Sequence, residues 1–251
     1  MLLPTIEHNF INHLNKMLPY PKTKLLFFDL ETVGGYPTLS EFEKNNPELH
    51  KIFMKYQDWF VKKFPEDKGK TPDEIYETRA ALVPEFAKIV VASFAFISPD
   101  GKMQVQTFAL DDEKELLKNV IQLLNKVHKL NFFLCGHNIK GFDIPMMAKR
   151  MMINGFAPPP IIPTADTKPW EIKALDTKEL WNGTNPFTIA SLELISVSMG
   201  CDSSKGGPVT GGIVHHSYWE AGILDKIAEY CEDDVKSLVD IIEKFDKLQY
   251  V

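Results

Sequence analysis

Residues 24–32 read KLLFFDLET, an unbroken apolar run from Leu25 to Phe28 that turns acidic at Asp29 and Glu31. A run this short, closed by charge, reads as a buried strand that presents Asp29 at its C-terminal end. Asp29 and Glu31 stand two apart. Successive side chains of a strand point to opposite faces, so both carboxylates share one side of the backbone. Two acids placed this way repel each other unless cations intervene. In isolation a D-x-E pair is far more often a solvated strand end than a metal site, and the rest of the chain has to decide.

Working outward, KIVVASFAFI (88–97) and QVQTFAL (104–110) read as the next two strands, joined at Ser98 to Gly101 by a Pro-Asp-Gly turn into a hairpin. Asp111 and Asp112 are positioned to cap a helix running to about Lys129, with Leu116, Leu117, Val120, Leu123, Leu124 and Val127 on one face. NFFLCGHN (131–138) is another buried strand, and residues 143 to about 154 are helical in pattern. KALDTKELW (173–181) reads as a last strand before a helix over 188–199. Residues 202–216, with Gly206, Gly207, Gly211 and Gly212, read as a mobile loop that lacks the GK[ST] ending of a P-loop. A final helix is expected over 219 to about 248, where Ile223, Ile227, Tyr230, Asp234, Leu238 and Ile241 recur at three- or four-residue spacing. Strands alternating with helices imply an α/β sheet.

Roughly 50 residues separate the first strand from the hairpin, more than an ordinary connection. FEKNNPELHKIFMKYQDWFVKKF (42–64) is rich in helix formers, so a helical insertion is expected at about 36–80. Tyr56, Trp59, Phe60, Lys62, Lys63 and Phe64 could stack on and neutralise a nucleic-acid strand, but an amphipathic packing helix is the favoured reading. No repeat or low-complexity tract divides the chain, which is read as one domain over 1–251.

The composition, 44% hydrophobic and 25% charged, is that of a globular protein. No stretch of roughly 18 apolar residues suggests a membrane span, and the first residues do not resemble a secretory leader. Cys135, Cys201 and Cys231 lie far apart, without zinc-site or disulfide spacing. A reduced, cytoplasmic setting is expected. The net charge of −6 argues against global attraction to phosphates. It does not exclude a nucleic-acid substrate, because bound divalent cations reverse the charge that a phosphate meets.

Two further segments carry chemistry. GHNIKGFDIP (136–145) follows a buried strand and opens a helix at Asp143, whose ordinary role would be a helix cap. In Tyr230-Cys231-Glu232-Asp233-Asp234, Tyr230 and Asp234 are i and i+4 and share a helical face. Asp233, at i+3, competes for the same face. FDLET, then N-x-x-x-F-D, then Y-x-x-x-D, in that order, resemble the three exonuclease motifs of the DEDD superfamily in its tyrosine-containing branch. The likeness is greatest to the stand-alone predicted 3′-5′ exonucleases related to the proofreading domain of B-family DNA polymerases. It runs from about Lys24 to Val239, with SYWEAGILDKIAEYCEDDV (217–235) particularly similar.

The resemblance implies a ribonuclease-H-like α/β fold with a mixed, roughly five-stranded sheet flanked by helices. It implies a 3′-to-5′ exonuclease that releases nucleoside 5′-monophosphates from single-stranded DNA by a two-metal-ion mechanism. Asp29, Glu31, Asp143 and Asp234 would hold two Mg²⁺ or Mn²⁺ ions, and the family pattern, with Val235 following, selects Asp234 over Asp233. Tyr230 would orient the attacking water, and Thr32, Asn138 and Phe142 would touch the terminal nucleotides. The expected partners are a DNA 3′ end and, in trans, a DNA polymerase or repair protein. An exoribonuclease is the alternative within the nucleases, since no motif reads the 2′-OH. A catalytically silent nucleic-acid-binding module would usually have lost a ligand, and a haloacid-dehalogenase-type phosphatase would carry D-x-D where this chain has Glu31. The adjacent His215 and His216 lack partners for a zinc set, His137 reads as a turn residue, and Asp176 reads as a cap.

Overall fold

The computed structural model describes residues 17–168, 171–185, 189–201 and 210–248. Its centre is a five-stranded sheet of β1 (Leu25–Gly34), β2 (Ala87–Ile97), β3 (Met103–Ala109), β4 (Phe133–Gly136) and β5 (Ala174–Asp176), in the order β3-β2-β1-β4-β5. β1 and β3 pair antiparallel with β2, whereas β4 lies parallel to β1 and β5 parallel to β4. The expected hairpin joins β2 to β3: the Ser98 amide donates to the Lys102 carbonyl at 2.9 Å, and Gly101 takes the left-handed φ of 82° that the turn needs.

The alternation along β1 sorts its side chains between two cores. Leu26, Phe28 and Leu30 join the buried cluster formed with α5 (Glu113–Lys129) and α6 (Asp143–Ile153). Leu25 and Phe27 face α10 (Leu224–Lys247), which buries Val235, Leu238, Ile241, Ile242 and Phe245 against them. Each fully buried side chain of this size contributes about 1.5–3 kcal/mol, so α10 is fixed in register over β1. Asp29 and Glu31 belong to the same odd-numbered series and therefore lie under α10. Val33 resumes the apolar pattern against Val214, Tyr218, Ile227 and Cys231.

Between β1 and β2 stand four helices, α1 (Leu39–Asn45), α2 (Pro47–Lys55), α3 (Gln57–Lys63) and α4 (Pro72–Arg79). They close on a core of their own that includes Phe42, Phe53, Phe60, Ile75 and Tyr76. A buried ion pair ties the layer together. Asp67 accepts from Arg79 Nε at 2.5 Å and Lys70 Nζ at 2.7 Å, and these cations, Arg79 foremost, lower its carboxyl to about 2.

Several boundaries differ from those read in the sequence. β4 ends at Gly136, and the strand expected over 173–181 is confined to β5. Asp176 stops it by accepting from the Lys178 amide at 3.0 Å, capping the short helix α7 (Thr177–Asn182). Pro186, Phe187 and Thr188 lie outside the described residues, and the helix expected over 188–199 is α8 (Leu192–Ser198), capped by Ser191. The loop expected over 202–216 falls partly outside the described residues, at 202–209. Its remainder is ordered into a 3₁₀ turn at Gly211–Ile213 and α9 (Val214–Trp219). The final helix begins at Leu224 rather than 219, because Gly222, with φ 62°, breaks the chain between α9 and α10. No described helix is long and apolar enough to cross a membrane.

Candidate active site

At Glu31 and Thr32 the pairing of β1 with β2 shifts, from Val91 opposite Glu31 to Ile89 opposite Thr32. Val90 is the extra residue of this β-bulge, which bends the sheet beside the acids. Glu31 is 8% exposed and Asp29 half-buried. From above, α10 brings Tyr230, Cys231 and Asp234. The Cys231 thiol lies 3.4 Å from both the carbonyl oxygen and Oδ2 of Asp29 and donates to that pair. Carboxylate oxygens of Asp29 and Glu31 and the Cys231 sulfur all lie within 4.8 Å of one another.

Asp143 arrives from the first residue of α6 and is 3% exposed. Its own amide and that of Leu30 in β1 donate to its carboxylate. The turn before it is held by a residue the sequence reading left as a cap. Asp176 Oδ1 accepts the Asn138 amide at 2.8 Å, and its Oδ2 accepts the Lys140 amide at 3.1 Å. Asn138 sits at φ 59°, a left-handed conformation that needs such support in a residue with a Cβ. Gly136 permits the close approach beneath: a Cβ there would lie 2.7 Å from the Phe28 carbonyl oxygen and 2.3 Å from Ile139 Cγ2. His137 is pinned as a turn residue, Nδ1 to Thr177 Oγ1 at 3.0 Å and Nε2 to the Ala190 carbonyl at 2.7 Å.

The acids perturb one another strongly. Burial, followed by repulsion from Asp143, Glu31 and Asp234, holds the Asp29 carboxyl well above the usual range. Glu31 is raised by burial and by Asp234 and Asp143. Asp143 is pushed up to about 7, again chiefly by burial, with Asp176 adding repulsion. The Tyr230 phenol is driven upward by burial and then by Asp234, to which it is hydrogen-bonded. A cluster of this kind must take up protons or cations. Asp29, Glu31, Asp143, Tyr230 and Asp234 are thus brought together from β1, α6 and α10. Asp233 turns outward instead, its side chain 48% exposed and paired with Lys236 at 2.8 Å.

Thr32 lies beside the cluster with its hydroxyl committed to the Ala81 carbonyl at 2.9 Å. Asn138 Oδ1 accepts from Lys178 Nζ at 3.3 Å, and Phe142 packs against the β1–α6 core. His215 is occupied by backbone: Nδ1 accepts from the Gly34 amide at 3.1 Å, and Nε2 lies 3.1 Å from the Pro37 carbonyl. Burial lowers its pKa. His216 is exposed and sits 2.9 Å from Glu220. Among the described residues the histidines join no metal-ligand cluster. Sequence reasoning missed the contacts of Cys231, Asp176 and Lys178. Cys231 was findable as the inward neighbour of Tyr230, three residues before Asp234, whereas the other two act across 40 or so residues of chain.

A mixed sheet in this order, flanked by helices, is the ribonuclease-H-like fold; its acids stand midway along β1, which runs on to Gly34 instead of ending at Asp29 as the sequence suggests. The fold is shared with the family B DNA polymerase of the hyperthermophilic archaeon Pyrobaculum calidifontis, with a TM-score of 0.54 at 14% identity over 89% of this chain and 24% of that one. The chain therefore spans about a quarter of the polymerase's length, and at this identity the likeness concerns the fold. The chain belongs to the family described as predicted 3′-5′ exonucleases related to the exonuclease domain of PolB, whose model matches residues 81–239. Asp143, Tyr230 and Asp234 lie within the matched residues, and Asp29 and Glu31 precede them. No curated protein matches the chain.

Proposed function

We propose that this chain is a 3′-to-5′ exonuclease acting on single-stranded DNA, with Asp29, Glu31, Asp143 and Asp234 holding two Mg²⁺ or Mn²⁺ ions. The observation that carries the reading is the convergence of these carboxylates with the Tyr230 hydroxyl, where burial and mutual repulsion raise Asp29, Glu31 and Asp143 together. Oxygen donors without histidine fit hard divalent cations. Such ions, when bound, supply water activation and neutralise the charge developing at the phosphate.

The chain's own residues supply the orientation. Tyr230 keeps its proton at neutral pH, because its phenol is raised rather than lowered. It therefore positions the attacking water by hydrogen bonding and does not act as the base. The water oxygen bonds to phosphorus, the bond from phosphorus to the 3′ oxygen breaks, and a proton ends on that oxygen, leaving a nucleoside 5′-monophosphate. Cys231, whose sulfur lies beside the acids, donates to Asp29 and steadies its carboxylate. Phe142 and Asn138 would meet the terminal nucleotides, as would Thr32 through its peptide group, since its hydroxyl is engaged.

The whole chain, 1–251, would act as one exonuclease domain in the cytoplasm, serving a polymerase or repair protein in trans. The free cysteines agree with a reduced setting. The test uses 5′-labelled single-stranded DNA, mismatched duplex DNA and RNA. A ladder shortening from the 3′ end, fastest on free single-stranded DNA, with 5′-monophosphate products and no cutting of a circular strand, is expected. Shortening from the 5′ end or internal cuts would overturn the reading, and preference for RNA would redirect it to an exoribonuclease.

A further inference from the structure

The four-helix layer carries an open groove of about 480 Å³ that the catalytic chemistry does not use. Ile52 and Tyr56 of α2 and its end, Trp59 of α3 and Leu82 form its apolar floor, and all four are exposed, Tyr56 by 47% and Trp59 by 40%. Apolar side chains concentrated in one concavity mark a binding surface better than scattered ones do. Tyr56 and Trp59 meet edge to face with ring centroids 6.1 Å apart. Lys63 lies over the Trp59 ring at 4.8 Å. On the opposite rim Lys149 pairs with Glu85 at 3.1 Å, which neutralises the groove's acid. Among the described residues no carboxylate forms a salt bridge with Lys63.

Charge and continuity identify the occupant. Residues 47–63 carry Lys51, Lys55, Lys62 and Lys63 against Glu48 and Asp58, a local positive excess in a chain of net charge −6. The walls of the groove are also the segments that flank the acid cluster. One wall is Leu82 to Phe86, directly after Ala81, whose carbonyl is held by Thr32 beside Glu31. From α6 the groove takes Lys149, six residues after Asp143 and about 9 Å along the helix axis. A strand whose 3′ end reaches the acids can therefore continue past Lys149 toward the groove.

We infer that the groove binds the single strand a few nucleotides upstream of the 3′ terminus, stacking a base on Trp59 or Tyr56 and setting a phosphate by Lys63. Aromatic faces accept any base, and a lysine at the rim supplies the phosphate contact, so the subsite is sequence-tolerant. It gives an acidic protein local affinity that its overall charge denies it. This inference rests on the exonuclease reading and extends it to substrate length.

The test compares oligo-dT of 3 and 12 nucleotides. Binding is measured by anisotropy on an Asp29→Asn background, so that no cleavage occurs, and trinucleotide and 12-mer turnover are measured with Asp29 intact. Trp59→Ala is expected to weaken 12-mer binding about tenfold, the loss of one stacked base, and to leave trinucleotide cleavage unchanged. Tyr56→Ala and Lys63→Glu, at exposed positions, provide the same comparison should Trp59→Ala fold poorly, and Lys63→Glu should flatten the salt dependence of 12-mer binding. Unchanged 12-mer affinity in all three variants, or equal losses at both lengths in a folded variant, would overturn the inference and leave the groove to a protein partner. Failure of the exonuclease reading looks different: the wild-type chain would then cleave neither length.

Discussion

At Asp29 and Glu31 the period of two that buries Leu25 and Phe27 also delivers two carboxylates to the face covered by α10. That placement was legible in nine residues, because a strand leaves no choice of side. The third motif was legible only to within one residue, since helical spacing admits Asp233 or Asp234. Geometry separates them: Asp233 is paired with Lys236 in solvent, and Asp234 acts on Asp29, Glu31 and Tyr230. Tyr230→Phe should keep the ring packing and cost roughly ten- to a hundredfold in rate, about 1.4–2.7 kcal/mol, with little change in the Mn²⁺ concentration needed. Asp234→Ala should cost more and shift that concentration upward, while Asp233→Ala should be nearly silent. Rate measured against Mn²⁺ for the three variants decides the register. A larger metal defect in Asp233→Ala would move the motif by one residue and withdraw the role given to Tyr230.

At the scale of elements, sequence succeeded where one periodicity persisted, as in α5 and in the β2–β3 hairpin, and failed where tertiary contacts decide. Gly211 and Gly212 suggested a loop, yet the chain turns helical because Val214 and Tyr218 bury against β1 and His215 takes two backbone partners. β5 is short because Asp176, its last paired residue, turns its carboxylate to three amides of the turn and helix that follow the two strands. No local pattern announces such a latch, since two of its donors lie 36 and 38 residues away. Asp176→Ala should therefore strand those amides, costing on the order of 1–3 kcal/mol for each buried group left unpaired, and let the turn bearing Asn138 relax. Turnover should fall at least tenfold with faster amide exchange confined to 138–143. Asp176→Asn, which keeps an acceptor for Asn138 and Lys178, should recover part of the rate. Equal defects in both variants, or exchange accelerated throughout the molecule, would show that Asp176 serves only general stability.

Over the whole molecule, an acidic chain concentrates its repulsion at one buried cluster, the feature on which the proposed cation site rests. The family model supports the exonuclease class, and the proposed metal-dependent chemistry rests on the acids themselves. Asp29 is the most informative position, because burial and three neighbouring carboxylates all press on it. Replacing it by Asn removes a charge the metal-free fold must tolerate, so the variant should melt no lower than the wild type. The decisive measurement is the rate of 3′-terminal nucleotide release by Asp29→Asn at saturating Mn²⁺, beside the wild type with and without chelator. The account predicts a loss of roughly a thousandfold or more, about 4 kcal/mol, and wild-type activity abolished by chelation. A folded Asp29→Asn protein that keeps half its rate, or wild-type cleavage that survives exhaustive metal removal, would contradict it.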